Sequence, residues 1–236
     1  MLNTCDKPAI PQVQSLCECC CIRRLVTLSD LSQQEFRVIH RQIAMFRLAP
    51  GEVLYGAGDS AESVFTIRAG LVKLVKYLPD GGQRIVRLLR PGDLAGIEAL
   101  GNKQPYEHLA IALEPVSACR IPIATIERLV KETPGMWVQL MTQWQRTVQQ
   151  ADIWLSELSM GPSRSRVARL LLRLVESAPD RMFYLPGRED MGAMLAITTE
   201  TASRTIAEFK RKGFIQILDG YRAIAEIDAL QQIANA

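Results

Sequence analysis

The sequence has no run of apolar residues approaching the ~20 that a membrane-spanning helix needs. Its N-terminus lacks the charged stretch and apolar core of a secretion signal, which predicts a cytoplasmic protein with no membrane partner. Histidine is scarce: only His40 and His108 occur, and their spacing does not suit a histidine-ligated metal site. No nucleophile elbow, phosphate-binding loop or paired-carboxylate motif occurs either. These absences argue against an enzyme.

Charge is distributed unevenly along the 236 residues. The net charge of +3 is too small to indicate a nucleic-acid partner by itself. However, residues 161–213 contain ten Lys/Arg against six Asp/Glu, so the positive excess lies in one C-terminal segment. The length allows two modest domains.

The N-terminal half contains three consecutive segments with different residue patterns. Residues 1–24 are rich in cysteine and show neither helical nor strand periodicity. Residues 31–46 have apolar side chains at helical spacing, which predicts a helix. From Gly51 to about Pro122, short β-type runs alternate with turns, which predicts a small antiparallel barrel or jelly roll. We therefore expect a β-roll sensor domain over residues 25–133.

A long helix is predicted over residues 134–160, after Pro134 and Gly135. Apolar side chains recur along it at alternating steps of four and three, a heptad pattern that favours pairing with the same helix of a second subunit. The alternative is an ordinary core helix packed on the barrel. We call the apolar side chains of this heptad pattern the dimer seam; they are Trp137, Met141, Trp144, Val148, Ala151, Leu155 and Leu158.

The last segment, residues 161–236, has the pattern of a winged helix-turn-helix. After a helix over residues 166–177, two short helical segments are joined by a tight link at Thr198 and Thr199. Two β-type runs with Asp-Gly between them then predict a hairpin wing. The expected class is α+β: an antiparallel β-roll, a long dimerisation helix and a C-terminal winged helix-turn-helix.

The second helix of that motif carries side chains suited to reading DNA. Glu200, Ser203 and Arg204 share one face near its N-terminal end, where a recognition helix enters the major groove. Arginine can donate twice to guanine, glutamate accepts from cytosine, and serine meets several base edges. Phosphate contacts are expected from Thr198, Thr199, Lys210, Arg211 and Lys212. The alternatives are a solvated helix with one Glu-Arg pair, or a ligand-binding regulatory subunit without DNA contact.

Four stretches of this sequence resemble the Crp/Fnr family of transcription regulators: GEVLYGAGDSAESVFTIRAGLVKL, RPGDLAGIEALG, ACRIPIATIERL and TTETASRTIAEFKRKGFI. The resemblance runs from about residue 17 to residue 230. The Glu-x-x-Ser-Arg pattern is similar to the FNR-like branch, which implies an operator with TTGAT half-sites bound by a homodimer.

The resemblance argues against cyclic AMP as the ligand. A cyclic-AMP receptor would carry glycine at Ser203 and arginine at Thr199, and an arginine in the sensor loop to neutralise the nucleotide phosphate. Residues 92–118 contain no arginine, and Glu107 and His108 stand near the expected Arg-Ser pair.

The FNR-like branch implies a 4Fe-4S cluster held by three N-terminal cysteines and one in the barrel. The alignment places Cys17, Cys20 and Cys119 on three ligand positions, but Val26 falls on the remaining one and cannot ligate. Cys21, Cys19 or Cys5 could complete the set. Alternatively, no cluster is bound, and the regulator is constitutive or is controlled by thiol oxidation or another small ligand, with Cys119 a small buried side chain.

The family resemblance also implies a contact with RNA polymerase through a loop after a sensor strand. Here the loop would consist of Asp80, Gly81, Gly82 and Gln83. The same residues are equally consistent with a plain hairpin turn.

Overall fold

A computed structural model describes residues 42–101, 104–176, 181–219 and 221–235 of the chain. The five N-terminal cysteines and Val26 lie outside these described residues. The predicted helix over residues 31–46 falls partly outside them as well. Where its end is described, the prediction is wrong, because residues 44–46 belong to a β-strand. That strand pairs along its whole length with a later strand, and this non-local pairing overrides the local helical spacing.

The predicted jelly-roll architecture is confirmed by two four-stranded antiparallel sheets. The strands are β1 (Ala44–Leu48), β2 (Val53–Tyr55), β3 (Ser63–Ala69), β4 (Val72–Tyr77), β5 (Gln83–Leu89), β6 (Leu94–Ala95), β7 (Leu109–Ala112) and β8 (Val116–Pro122). One sheet has the order β1-β8-β3-β6 and the other β2-β7-β4-β5. Side chains from the two inner faces, among them Tyr55, Phe65 and Ile67, form a shared core. A short 3-10 helix, Ile97–Ala99, follows β6.

Helices follow the roll directly. α1 (Ile123–Glu132) was not anticipated from the sequence, whereas α2 (Pro134–Ile153) is the expected long helix. α2 begins with proline in its first turn. The backbone N–H that proline lacks would have no hydrogen-bond partner within the helix there, so no helical hydrogen bond is lost. A π-helical turn, Trp154–Leu158, extends α2 before α3 (Ser163–Glu176) begins. Both α1 and the start of α2 pack on the outer face of the first sheet.

The C-terminal part is a winged helix-turn-helix, as the sequence predicts. Its two central helices are α4 (Arg188–Leu195) and α5 (Thr199–Arg211). The remaining elements are β9 (Met182–Tyr184), β10 (Ile215–Asp219), β11 (Arg222–Ala225) and α6 (Ile227–Ala234). The wing hairpin pairs with a third strand in the order β10-β11-β9.

One apolar core joins the roll to the winged unit. Leu71, Val75 and Leu88, which lie in or next to the second sheet, belong to the same buried cluster as Met191 and Met194 of α4. Burial of apolar surface is the main favourable term in folding, so this continuity holds the two parts against each other.

Candidate DNA interface

A tight turn sets the angle between α4 and α5. Ala196 ends α4 in the left-handed conformation with φ of 53°. A Cβ on Gly192 would lie 2.8 Å from the carbonyl oxygen of Ile197, so a larger residue there would force the turn open. Arg166 Nη1 donates a hydrogen bond of 2.6 Å to the carbonyl of Leu195, which satisfies an otherwise unpaired group at the end of α4.

Helix α5 starts with a side-chain cap. Thr198 Oγ1 accepts a hydrogen bond of 3.1 Å from the backbone N–H of Thr201. Thr198 and Thr199 are themselves exposed. The buried side of α5 includes Ile206 and Phe209, and the ring of Phe209 packs edge-on against Phe214 at a centroid distance of 5.9 Å. Phe209 belongs to the core of the winged unit, and Phe214 packs against that core.

The opposite side of α5 presents the predicted base-reading residues together. Glu200, Ser203 and Arg204 are all exposed. Arg204 Nη2 donates a hydrogen bond to Glu200 Oε1, and the two side chains are 78% and 70% exposed. An exposed pair of this kind contributes little to stability and can separate at small cost when a better partner is offered.

The basic cluster at the end of α5 is exposed but partly paired. Lys212 Nζ lies 2.9 Å from Glu208 Oε1, and Arg164 Nη2 of α3 lies 3.2 Å from the same oxygen. The hydrogen bond from Lys212, with the charge of Arg164, lowers the pKa of Glu208 below its ordinary value. Lys210 and Arg211 have exposed side chains. Arg164 was not expected here, because its partner lies in a distant helix and no local spacing reveals the contact.

The long helix carries an exposed apolar row. Trp137 is 55% exposed, Met141 42%, Trp144 42%, Val148 46% and Leu155 68%. Ala151 continues the row and is also exposed. The core-packing alternative fits these residues poorly, because in a single chain they face solvent.

Leu158 differs from the rest of the predicted seam. It is 1% exposed and packs in the core that joins the roll to the winged unit. The π-helical turn at Trp154–Leu158 changes the residue spacing and shifts the phase of the heptad pattern. The exposed row therefore ends at Leu155.

Within the roll, Glu98 and His108 face each other, near the position of the Arg-Ser pair that a cyclic-AMP receptor would carry. Glu98 Oε1 lies 3.9 Å from His108 Nδ1, which is an electrostatic contact rather than a hydrogen bond. Burial raises the pKa of Glu98, but His108, the residue's own backbone N–H and Arg87 together lower it below the ordinary value. An ionised carboxylate at this position disfavours a bound phosphate.

Cys119 lies in β8, the second strand of the first sheet. It pairs with Met45 of β1 on one side and Thr66 of β3 on the other, and it is half-buried. Within the described ranges, no group of three His, Cys, Asp or Glu side chains could hold a metal ion. The other five cysteines of the chain all lie in residues 1–41, outside the described residues.

The loop proposed to contact RNA polymerase is a hairpin between β4 and β5. Its turn is closed by a hydrogen bond of 2.8 Å from the N–H of Leu78 to the carbonyl of Gly82. Asp80 Oδ1 accepts from the N–H of Gly82 at 2.9 Å, and Gln83 begins β5. Asp80, Gly81, Gly82 and Gln83 are all exposed.

Two family models match the chain. One is described as a cyclic nucleotide-binding domain and matches residues 45–133. The other is described as a Crp-like helix-turn-helix domain and matches residues 165–233. Together these ranges include the roll, α1 and most of the winged unit. No helix in the described part of the chain is long and apolar enough to cross a membrane.

Curated relatives match over almost the full length. The fumarate and nitrate reduction regulatory protein of Escherichia coli (strain K12) is 28% identical over 242 residues, covering 98% of this chain and 96% of the relative. The protein of the same name from Salmonella typhi is 27% identical with the same coverage. These relatives are regulators, in agreement with the expectation that the chain is not an enzyme.

Solved structures share the fold. FixK2 from Bradyrhizobium japonicum superposes with a TM-score of 0.74 at 24% identity, covering 82% of this chain and 98% of that one. TTHB099 from Thermus thermophilus, a transcriptional regulator of the CRP family, gives a TM-score of 0.70 at 25% identity, covering 81% and 97%.

Proposed function

Because this chain belongs to the Crp/Fnr family of DNA-binding transcription regulators and is FNR-like, we propose that it binds palindromes of TTGAT-like half-sites as a homodimer. The observation that carries the proposal is the exposed group of Glu200, Ser203 and Arg204 on one face of α5. Arg204 pairs with guanine through two donors, and Glu200 accepts from a cytosine amino group. The phosphate contacts, which set the register of the helix in the groove, come from Thr198, Thr199, Lys210, Arg211 and Lys212.

The homodimer forms through the exposed row of α2 that runs from Trp137 to Leu155. An apolar row of this length on a single chain favours association with an identical helix. Two-fold symmetry then places the two copies of α5 in successive major grooves, which is the geometry that a palindromic site requires.

Control by oxygen or redox state belongs to the same proposal. Cys17, Cys20 and Cys119, completed by Cys21, Cys19 or Cys5, would hold a 4Fe-4S cluster. Thiolates are the ligands that iron-sulfur clusters prefer, and Cys119 is half-buried in β8. The bound cluster would supply sensitivity to oxygen. Val26 at an expected ligand position favours the second candidate, in which the cysteines respond to oxidation without a cluster.

The β4–β5 hairpin supplies the proposed contact with RNA polymerase. Its support is the exposure of the turn together with Tyr77 and Leu78, whose side chains are 60% and 37% exposed. Deleting the side chain of Asp80 should lower transcription from an activated promoter without changing DNA affinity.

DNA recognition is tested by measuring anisotropy of a labelled TTGAT palindrome and of a scrambled duplex. Wild type should prefer the palindrome, and Arg204→Ala should lose that preference. Equal affinity of wild type for both duplexes, under oxidising and reducing conditions, would refute the proposed recognition.

The cofactor question has a separate test. Iron and sulfide are quantified in protein purified without oxygen, and the absorption spectrum is recorded before and after exposure to air. Four iron atoms per chain are expected for a complete 4Fe-4S cluster. Iron-free protein whose DNA affinity still changes with thiol oxidation would favour the cluster-free candidate.

A further inference from the structure

The connection between α2 and the winged unit is short. Only residues 159–162 lie between the π-helical turn Trp154–Leu158 and the start of α3 at Ser163. Gly161 in this connection has a φ of 85°, in the left-handed region that other residues adopt only with strain. We call residues 154–162 the hinge segment, because a rotation of the winged unit on α2 has to change the backbone there.

Arg169 of α3 donates three hydrogen bonds to backbone carbonyl groups. Its Nη1 donates to the carbonyl of Glu157 at 3.0 Å and to that of Met160 at 2.9 Å, both in the hinge segment. Its Nε donates at 2.9 Å to the carbonyl of Ala234, the last residue of α6. One side chain therefore links the hinge segment, α3 and α6.

The guanidinium of Arg169 also packs against the hinge backbone. A Cβ on Gly161 would lie 3.6 Å from Arg169 Nη1 and 3.8 Å from Nη2, which is ordinary van der Waals distance. Arg169 is half-buried, whereas Arg204 on the DNA-reading face is 78% exposed. Water competes less with hydrogen bonds in the less exposed place, so these bonds restrain the hinge segment.

Arginine suits the carbonyls that it contacts. Carbonyl groups at the end of a helix have no partner within the helix and form the negative end of its dipole. Glu157 lies in the turn that extends α2, and Ala234 lies at the end of α6. A guanidinium offers positive charge and donors on separate nitrogens of a rigid plane. A lysine would keep the charge, but it carries all its donors on one nitrogen.

Arg173, one turn further along α3, contacts the same segment in a different way. Its Nη2 donates at 2.8 Å to Glu157 Oε2, and the two side chains are 30% and 43% exposed. A partly exposed bond between two flexible side chains restrains a backbone less than a bond to its carbonyl groups does. Of the two arginines, Arg169 therefore restrains the hinge backbone more.

We propose that Arg169 is a positioning residue for DNA binding. By holding the hinge segment, it fixes the orientation of the winged unit on α2, and thereby the spacing of half-sites that the homodimer accepts. The inference rests on the proposed homodimer and its palindromic site, and it assigns the choice of spacing to a residue outside the DNA-reading face.

Two-fold symmetry makes the spacing sensitive to the hinge segment. The two copies of α5 enter major grooves about 34 Å apart, and a rotation at the hinge of each subunit displaces both copies. A winged unit that is held in one orientation avoids an ordering cost on binding. A loosened unit has that cost and tolerates more than one spacing. Loss of Arg169 should therefore lower affinity at the best spacing and flatten the dependence on spacing.

Anisotropy titration of the full chain against TTGAT palindromes with spacers of different length tests the proposal. Wild type should prefer one spacing. Arg169→Lys should bind that duplex about ten-fold more weakly and should discriminate less between spacings. It should bind a duplex with a single half-site as wild type does, because the DNA-reading face is unchanged.

Ile215→Ala is the control for a loss of stability without a change at the hinge. Ile215 is buried in β10, outside both the hinge segment and the DNA-reading face. This variant should unfold at lower urea concentration than wild type but keep the wild-type spacing preference.

Hydrogen exchange gives a second readout that does not require DNA. In Arg169→Lys, the backbone amides of the hinge segment should exchange faster, while those of α5 keep their wild-type rates. Arg169→Gln replaces Arg169→Lys if that variant fails to fold.

The same spacing preference in Arg169→Lys and wild type, or an equal flattening in Ile215→Ala, would overturn the inference and leave the proposed function standing. Wild type that prefers no palindrome over a scrambled duplex would instead refute the proposed function and this inference with it.

Discussion

Lys73 of the roll and Asp190 of the winged unit form an ion pair across the boundary between them. Lys73 Nζ lies 2.6 Å from Asp190 Oδ1, and the two side chains are only 14% and 15% exposed. Lys73 lies in β4 and Asp190 in the first turn of α4, which precedes the DNA-reading helix. The pair therefore links the position of the helix-turn-helix to that of a sensor strand.

Removing either partner should destabilise the chain. We expect Lys73→Ala or Asp190→Ala to lower the free energy of unfolding by about 2 kcal/mol, because the remaining charge stays largely buried without its partner. Urea unfolding followed by circular dichroism measures the change.

A charge reversal provides the control for that experiment. Lys73→Glu combined with Asp190→Lys should recover part of the loss that each reversal causes alone, since the attraction is restored. If the losses of the two single variants simply add in the double variant, the pair does not couple the two units.

Arg204 and Lys210 should affect DNA binding in different ways. Arg204→Ala should cost about 1–3 kcal/mol on the palindrome and relax discrimination at one base pair. Lys210→Ala should weaken binding to all sequences alike and reduce the salt dependence by about one released counterion. Anisotropy titrations on matched and mismatched duplexes at several salt concentrations distinguish the two patterns. A uniform loss on every duplex for Arg204→Ala would contradict base reading by this side chain.

The α2 row should be sensitive to charge. Val148→Glu places a carboxylate in the proposed dimer seam, and sedimentation should show a shift from dimer to monomer. Gln149→Glu adds the same charge one residue away, on an exposed position outside the heptad pattern, and should remain dimeric. Identical sedimentation of the two variants would indicate that subunits pair through another surface.

Leu158 should behave as a core residue rather than as a seam residue. Because its side chain is 1% exposed within one chain, Leu158→Ala should lower the free energy of unfolding by about 2–5 kcal/mol. The dimer dissociation constant, measured under conditions where the variant is folded, should change little. A large loss of dimerisation with unchanged stability would place Leu158 in the seam after all.

Alkaline pH should destabilise the chain through Tyr184. Burial, followed by the charge of Asp190, raises the pKa of Tyr184 from 10.0 to about 12. Between these values the unfolded state releases the proton while the folded state keeps it, so stability falls as pH rises from 10 to 12. Urea unfolding at several pH values should show a shallower loss for Tyr184→Phe. The exposed Tyr77→Phe serves as the comparison and should follow wild type.

Local patterns in the sequence were sufficient to predict the helices and strands that are involved in the proposed DNA binding. The tight link at Thr198 and Thr199, the helical spacing of α5 and the Asp-Gly hairpin are all short-range signals, and the structure has the corresponding elements. The alternation of short strands and turns likewise predicted the roll. The helical repeat of α5 and the strand pattern of the roll are both visible locally, because each arises from burial of one face of its element.

Long-range contacts could not be inferred in the same way. β1 overlaps a segment with helical spacing, and its pairing with β8 is visible only in three dimensions. The link between Arg164 and Glu208 joins separate helices, and Arg169 of α3 reaches carbonyl groups of both the hinge segment and α6. The phase shift that buries Leu158 depends on a π-helical turn, which has no clear sequence signature.

The shared apolar core between the roll and the winged unit limits the exchange of whole domains between such regulators. A chimera that replaces only the reading domain would set a foreign surface against Leu71, Val75 and Leu88. New operator preferences are therefore easier to obtain by exchanging side chains on the outer face of α5 than by transplanting the whole winged unit.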